Sequence, residues 1–354
     1  MSREGHMSSR SLWGGFCSGR FSWLLVVCAA VIGGEIVVGV AEAEDASSSL
    51  NSLSTETYVR LRDAVAYQVS MGRSLETACA QLRSARSLAP DWPEGPPEQL
   101  VAAMYRRLTV PPEVPRSHPR ALALIGDRYH DPAYIRPALE AALKKAGVAV
   151  AFLYDVRQLQ PKLLRHFDLL VVLRDGMLWP NPTEDDPYGD RVFWMTDEQE
   201  FTIAAFVWSG GALLALHNAT ALRRLDDGES LYTRTLGASY AGHGQPGEHY
   251  RVHVVTEHPV THGVRDYPAV DERHWPKLHV DDATLLLQAV AGNKTSLHGF
   301  VRTFGAGRVC YLANGHNREI LESEPMQTMI RNAAVWCLEE ASPHRTASGG
   351  ASVR

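Results

Sequence analysis

From Ala121 onward the hydrophobic residues come in short unbroken runs, separated by segments in which they recur every three or four positions. Such runs read as strands covered on both faces, and the segments between them as covering helices, so the pattern predicts α/β architecture. Strands are expected at Ala121 to Ile125, Val148 to Leu153, Asp168 to Leu173 and Ala212 to Leu216. Four more are expected at Arg251 to Val255, Leu285 to Ala289, Gly299 to Thr303 and Arg308 to Leu312, the last two joined by the turn FGAG. A helix from Ile135 to Ala146 links the first two strands, and another from Met326 to Glu339 closes the domain. The best-marked helix begins near Asp197, with a capping box at Thr196 and Gln199, a stop at Gly210-Gly211 and an expected apolar face of Phe201, Ala204, Ala205 and Trp208.

Ahead of this region the pattern changes. TETYVRLRDAVAYQVSMGRSLETACAQLRSAR predicts two short helices, Glu98 to Leu108 a third, and VPPEVPRSHP an extended linker with the domain boundary near Pro115. Arg10 and Arg20, the apolar run FSWLLVVCAAVIGG and the small-residue pattern Ala41-Glu42-Ala43 read as a leader for export, periplasmic or extracellular. The alternative is a retained membrane anchor. The expected organisation is a leader over 1–43, a helical extension and Pro-rich linker over 44–115, an α/β domain over 116–341 and a disordered tail over 342–354.

The 354 residues are 45% hydrophobic and 21% charged, which excludes a disordered or fibrous chain. A formal charge of −5 gives no global attraction to phosphate backbones, so nucleic acid is not an expected partner. Cys17, Cys28, Cys79, Cys310 and Cys337 stand far apart without a CxxC pair. No thiolate zinc site is indicated, and any divalent metal would need histidine and carboxylate ligands.

In open parallel sheets the ligand crevice lies beyond the carboxyl ends of the strands. The residues at those ends are polar here: Asp127 and His130 after the first strand, Arg174 and Asp175 after the third, His217 and Asn218 after the fourth, Asn314 and His316 after the last. Ten of the fifteen histidines fall between His217 and His316, which points to a site in this region, since imidazole binds metals and moves protons near neutral pH. No HExxH or other fixed-spacing metal motif is present, and no GxSxG elbow.

The ordered segments GGALLALHNAT, GASYAGHGQPGEHYRVHVVTEHPVTHGV, PAVDERHW and FGAGRVCYLANGHN resemble the ThuA-like family, named for a trehalose-utilisation protein, over about Arg120 to Glu340. The resemblance implies a flavodoxin-like fold similar to class I glutamine amidotransferases, a mostly parallel sheet flanked by helices, and a carbohydrate substrate. It points to His217, His243, the pair Asp271-Glu272 and His316, with His130 in an early loop. The chain departs from the family after the acidic pair, where His274 stands near a position commonly held by tyrosine.

The turn that presents a cysteine nucleophile in glutamine amidotransferases reads LHNA here, while Cys310 and Cys337 fit the apolar core, so a thiol-dependent glutaminase is disfavoured. The expectation is therefore acid/base chemistry, with or without a divalent metal, on an oxidised sugar or disaccharide: isomerisation or cleavage. His217, His243, Glu272 and His316 are the expected catalytic set. His130, Arg174, Asp175, Asn218 and Asp271 are the expected substrate contacts, and Trp179, Trp194 and Trp275 could offer faces for sugar stacking. His253, His258 and His262 fit structural roles on a strand and around Pro259. The competing class is a carbohydrate-binding or envelope protein that does no chemistry.

Overall fold

The computed structural model describes residues 49–85, 88–89, 92–111, 119–178, 192–223 and 230–339. The expected leader, most of the linker, the carboxyl-terminal tail and Trp179 lie outside the described residues. Helices α1 (Thr55–Ser70), α2 (Leu75–Leu82) and α3 (Glu98–Thr109) precede the α/β region. The first half of the α/β region then runs β1 (Arg120–Ile125), α4 (Pro132–Lys145), β2 (Ala149–Leu153), α5 (Pro161–Leu164), β3 (Leu169–Leu173), β4 (Met177–Leu178), β5 (Val192–Phe193), α6 (Asp197–Trp208) and β6 (Ala212–Leu216). The second half is richer in strands: α7 (Leu231–Leu236), β7 (Ala238–His243), β8 (Glu248–Val254), β9 (Tyr267–Asp271), β10 (His274–Leu278), β11 (Thr284–Ala291), β12 (Lys294–Phe304) and β13 (Gly307–Leu312). Helices α8 (Arg318–Glu322) and α9 (Glu324–Leu338) close it.

Nine strands form one sheet in the order β2-β1-β3-β6-β13-β12-β11-β8-β9. Pairings from β2 to β13 are parallel, and those from β13 to β9 are antiparallel, so the sheet is mixed and divides into two halves at β13. The unbroken apolar runs have a direct cause. On β3, Leu169, Val171 and Leu173 enter one core and Leu170 and Val172 the other, and β1 and β6 alternate in the same way. Helices α4 and α9 cover the first face, α6 and α7 the second. A short antiparallel pair, β7 with β10, stands apart from the main sheet.

The amino-terminal helices join the first core, where Leu61, Val65, Val69 and Met104 pack in one cluster with Ala121, Ala123 and Ile125. Ser54 and Ser74 cap α1 and α2 by accepting the N–H of Thr57 and Thr77. Among the described residues no helix is long and apolar enough to cross a membrane.

One expectation is overturned. The capping box on α6 is present, but its inward face is Ile203, Ala204 and Val207, while Phe201 and Trp208 are 64% and 62% exposed. Glu200 takes a buried place instead, accepting the N–H of Tyr232. Hydrogen bonding lets this carboxylate share the inward face with Ile203 and Val207.

Candidate active site

The site is assembled where the parallel strands end. After β1 the chain turns through Gly126 at φ +90°, a conformation in which a side chain would also strike Ser70 and Pro132, and this delivers Asp127. Asp127 is buried and accepts from the backbone N–H groups of Tyr129, His130 and Asp175 at 2.8, 3.1 and 2.9 Å. It also accepts from Asn218 Nδ2 at 3.1 Å and lies 2.8 Å from His130 Nδ1. Burial opposes its charge, but the His130 contact, the Arg174 cation and the amide donors outweigh that and hold the carboxyl below its ordinary range.

After β6 the backbone breaks sharply at His217, whose φ of +50° is left-handed and is shared by no other non-glycine among the described residues. Such a conformation costs about 1 kcal/mol or more and persists only where the surroundings enforce it. Here Tyr311 donates to the His217 carbonyl at 2.8 Å, and His217 Nδ1 lies 3.0 Å from the Ala313 carbonyl. A carbonyl only accepts, so Nδ1 carries a proton, and Nε2 is the nitrogen that gains or loses one as the ring titrates. Gly315 lets the loop after β13 come close, since a Cβ there would lie 3.1 Å from that of His217.

Asp271 and Glu272 are adjacent but serve different ends. Asp271 is buried at the end of β9 and accepts from Gly315 N at 2.9 Å, His316 N at 3.1 Å, and the amides of Asn314 and Asn317 at 3.2 Å each. It therefore fixes the loop that presents His316. Glu272 faces the other way and collects imidazoles. His274 Nε2 lies 2.9 Å from Oε2, His243 Nδ1 3.2 Å from Oε1, and His217 Nε2 and His316 Nδ1 each 3.5 Å from Oε2. The rings crowd one another, with centroids 3.9 Å apart for His217 and His274 and 5.0 Å for His130 and His217.

Burial disfavours charge on Glu272, but contacts with His217 and His274 and the charge of His316 overcome it, so the carboxyl stays ionised far below its usual range. Burial and the neighbouring His217 push His274 well below the ordinary imidazole value, and burial with the His130 and His217 charges brings His316 to about 4. His217 moves the other way: burial lowers it, but Glu272 and Asp271 more than compensate. A cavity of about 290 Å³ opens above the cluster, lined by His130, Asn218, Tyr240, His243, Glu272 and His316 among others.

The four residues expected to be catalytic thus meet around one carboxylate. Three of them border the cavity, and His217 lies beneath its floor, fully buried. Of the expected substrate contacts, His130, Asp175 and Asn218 line the cavity. Arg174 and Asp271 do not contact it. Arg174 is fully buried, donates to the carbonyls of Ser70, Tyr154 and Asp175, and lies over the Trp194 ring, which makes it a strut between α1 and β3. Trp194 donates its indole N–H to the Asp175 carbonyl at 2.8 Å and is core, while Trp275 stacks on Arg273. His258 caps the turn at Pro259 by accepting from Val260, and His253 points outward to Asp266. Cys310 and Cys337 are buried, and burial raises both thiols, Cys337 to about 12.

The expected set omitted two groups at the centre of the geometry. Asp127 was legible as a strand-end acid, and its spacing of three from His130 is that of a local side-chain bond. His274 departs from the family pattern, but its spacing of two from Glu272 puts both on one side of an extended chain.

No curated protein matches the chain. Among solved structures it is similar to a ThuA-like protein from Parabacteroides merdae, at 14% identity over 63% of this chain and 91% of that one, with a TM-score of 0.50. A ThuA-like protein from Bacteroides uniformis aligns at 16% identity over 64% of this chain and 95% of that one, with a TM-score of 0.48. Residues 120–337 match the model of the family described as trehalose utilisation, and the chain belongs to this ThuA family.

Proposed function

We propose that the protein processes a carbohydrate by proton transfer at Glu272, isomerising or cleaving an oxidised sugar or disaccharide outside the cytoplasm. The observation that supports this is one ionised carboxylate at the edge of a cavity, contacted by imidazoles from four separate stretches of chain. Family membership supplies the substrate class. The cavity holds about 290 Å³ and is bordered by hydroxyl, amide and imidazole groups together with Met177, Phe193 and Ala221, a mixed lining that suits a ligand of sugar size with both polar edges and an apolar face.

In a keto sugar the hydrogen on the carbon beside the carbonyl is acidic enough for a positioned base. Glu272 takes that proton, the C–H electron pair moves into an enolate, and an imidazole N–H at the cavity rim donates to the enolate oxygen. His243 is half-exposed, with Nδ1 held by the Gly244 carbonyl at 2.7 Å and by Glu272 at 3.2 Å, so in its protonated form the ring offers Nε2–H for that donation. Return of the proton to the other face or the neighbouring atom gives an isomer. Expulsion of a glycosidic oxygen one carbon further on, protonated by the same ring, cleaves a disaccharide.

The test is a screen of disaccharides and their keto derivatives against the full chain, repeated with Glu272→Gln and His217→Ala. Turnover that falls in Glu272→Gln by about 10²- to 10⁴-fold is the expected result. Unchanged turnover in both variants, or binding of sugars without any conversion, would overturn the reading in favour of a carbohydrate-binding protein.

A further inference from the structure

We propose that His130, His217 and His316 form a binding site for one divalent transition-metal ion, open toward the cavity. One ligand nitrogen from each of these rings lies within 4.8 Å of the other two. At that limit each nitrogen moves inward by up to about 0.8 Å to close around an ion with Zn–N bonds of about 2.0–2.1 Å. His130 Nε2, His217 Nε2 and His316 Nδ1 are all buried and without a hydrogen-bond partner. Buried ring nitrogens without partners are unfavourable, and a shared ligand satisfies all three at once.

The backs of the rings are held as metal-ligating histidines require. His130 turns Nδ1 toward both oxygens of Asp127, at 2.8 and 2.9 Å, and His217 turns Nδ1 toward the Ala313 carbonyl at 3.0 Å. Both contacts place a proton on Nδ1, so Nε2 is the nitrogen that each neutral ring offers inward. The left-handed backbone of His217 and the Asp271 contacts to the loop of His316 put two of the three ligands on backbone fixed by buried bonds. Glu272 Oε2, 3.5 Å from both His217 Nε2 and His316 Nδ1, adds a negative charge at the flank and a fourth ligand within short reach.

The donor set selects the class of ion. Imidazole nitrogens with one carboxylate suit zinc and its neighbours in the first transition row, not calcium or magnesium, which take oxygen ligands. His217 also groups with Glu272 and His274. That second grouping is weaker as a cage, because His274 Nε2 is already bonded to Glu272 at 2.9 Å. With three protein nitrogens on the ion, the position facing the cavity stays open for a water or a sugar oxygen. The site stands on these rings alone and does not require the sugar reading above.

The full chain, stripped with a chelator, is titrated with zinc and, separately, with cobalt(II), whose visible absorption reports coordination. One ion per chain is expected, with affinity falling on the order of 100-fold or more in His130→Ala, His217→Ala and His316→Ala, and unchanged in His253→Ala. Should His217→Ala lose its circular-dichroism signature, His316→Ala decides, since that ring is partly exposed on a loop. Absence of stoichiometric binding, or equal affinity in the folded variants, overturns the site and leaves the ring nitrogens to water. An ion bound without turnover of any sugar sinks the proposed reaction while the metal site stands. Turnover in a chain that binds no ion does the reverse.

Discussion

The two halves of the sheet contribute to the site by different means. On the parallel side, short loops after β1, β6 and β13 deliver His130, His217 and Asn314 from strands covered on both faces, and all three are buried. On the antiparallel side Glu272 follows β9, while His243 and His274 come from the small β7–β10 pair, whose register slips beside His274. There the groups reach the cavity, with the His243 side chain 43% exposed. The contrast is one of degree: His130, Asp175 and Asn218 also line the cavity from the parallel side, where the buried Asp127 braces their loops, whereas the carboxylate that four imidazoles surround, Glu272, sits on the antiparallel side.

If that division holds, damage to the parallel side should appear first as lost stability. Asp127→Asn is the sharpest case and has the largest expected effect. Five nitrogens converge on this carboxylate, and an amide would turn an NH2 group toward one of them. A loss of about 3 kcal/mol in urea denaturation is expected, as for other broken buried charge networks. His243→Ala measured alongside should cost under about 0.5 kcal/mol, as exposed substitutions do. Equal losses in the two variants would erase the distinction between the halves.

A second way to sharpen the comparison is pH, through a residue behind the site. His298 on β12 is fully buried, with Nε2 3.1 Å from Asn314 Oδ1 and the Tyr250 ring across it. Burial brings its pKa to about 3, with the His217 and Arg273 charges adding to the fall and Asn314 opposing it. The folded value is below the unfolded one of about 6.5, so the folded state excludes the proton. Its stabilising contribution is complete above about pH 6.5 and is lost as pH falls from there toward 3. By pH 5 the loss is about 2 kcal/mol, from a gap of about 1.5 units between pH 5 and the unfolded value. His298→Gln, which keeps an amide donor toward Asn314, should flatten the change in unfolding free energy between pH 7 and pH 5 by that amount. An undiminished slope would mean that other groups carry it.

The same division explains what the chain disclosed before its structure was known. Strands such as Ala212–Leu216 were legible because double-sided burial writes an unbroken apolar run, and the crevice rule then pointed to His217 and Asn218 without further information. The strands β7, β9 and β10 were not legible. GASYAGH, YPAVD and HWPKL alternate or are polar, and their pairing depends on partners distant in sequence. His298 left no local signal either, since its burial follows from the packing of β12 against the loop after β13. On α6 the hydrophobic pattern pointed the wrong way because Phe201 and Trp208 are exposed while Glu200 is satisfied inside.

A small, salt-dependent effect is expected at a pair that matches His130 and Asp127 in chemistry but not in place. His253 Nδ1 lies 2.6 Å from Asp266 Oδ2, a shorter contact than the 2.8 Å between His130 and Asp127. The side chains of His253 and Asp266 are 36% and 40% exposed, against 3% and 1% for the buried pair. Water screens the outer pair and solvates either partner when the other is removed, so distance alone does not set its worth. His253→Ala should cost no more than about 1 kcal/mol, and that cost should shrink as salt is raised, read from urea midpoints at low and high ionic strength. A loss near that of Asp127→Asn would show that contact length, and not burial on the parallel side, governs how much a histidine–aspartate pair contributes to this fold.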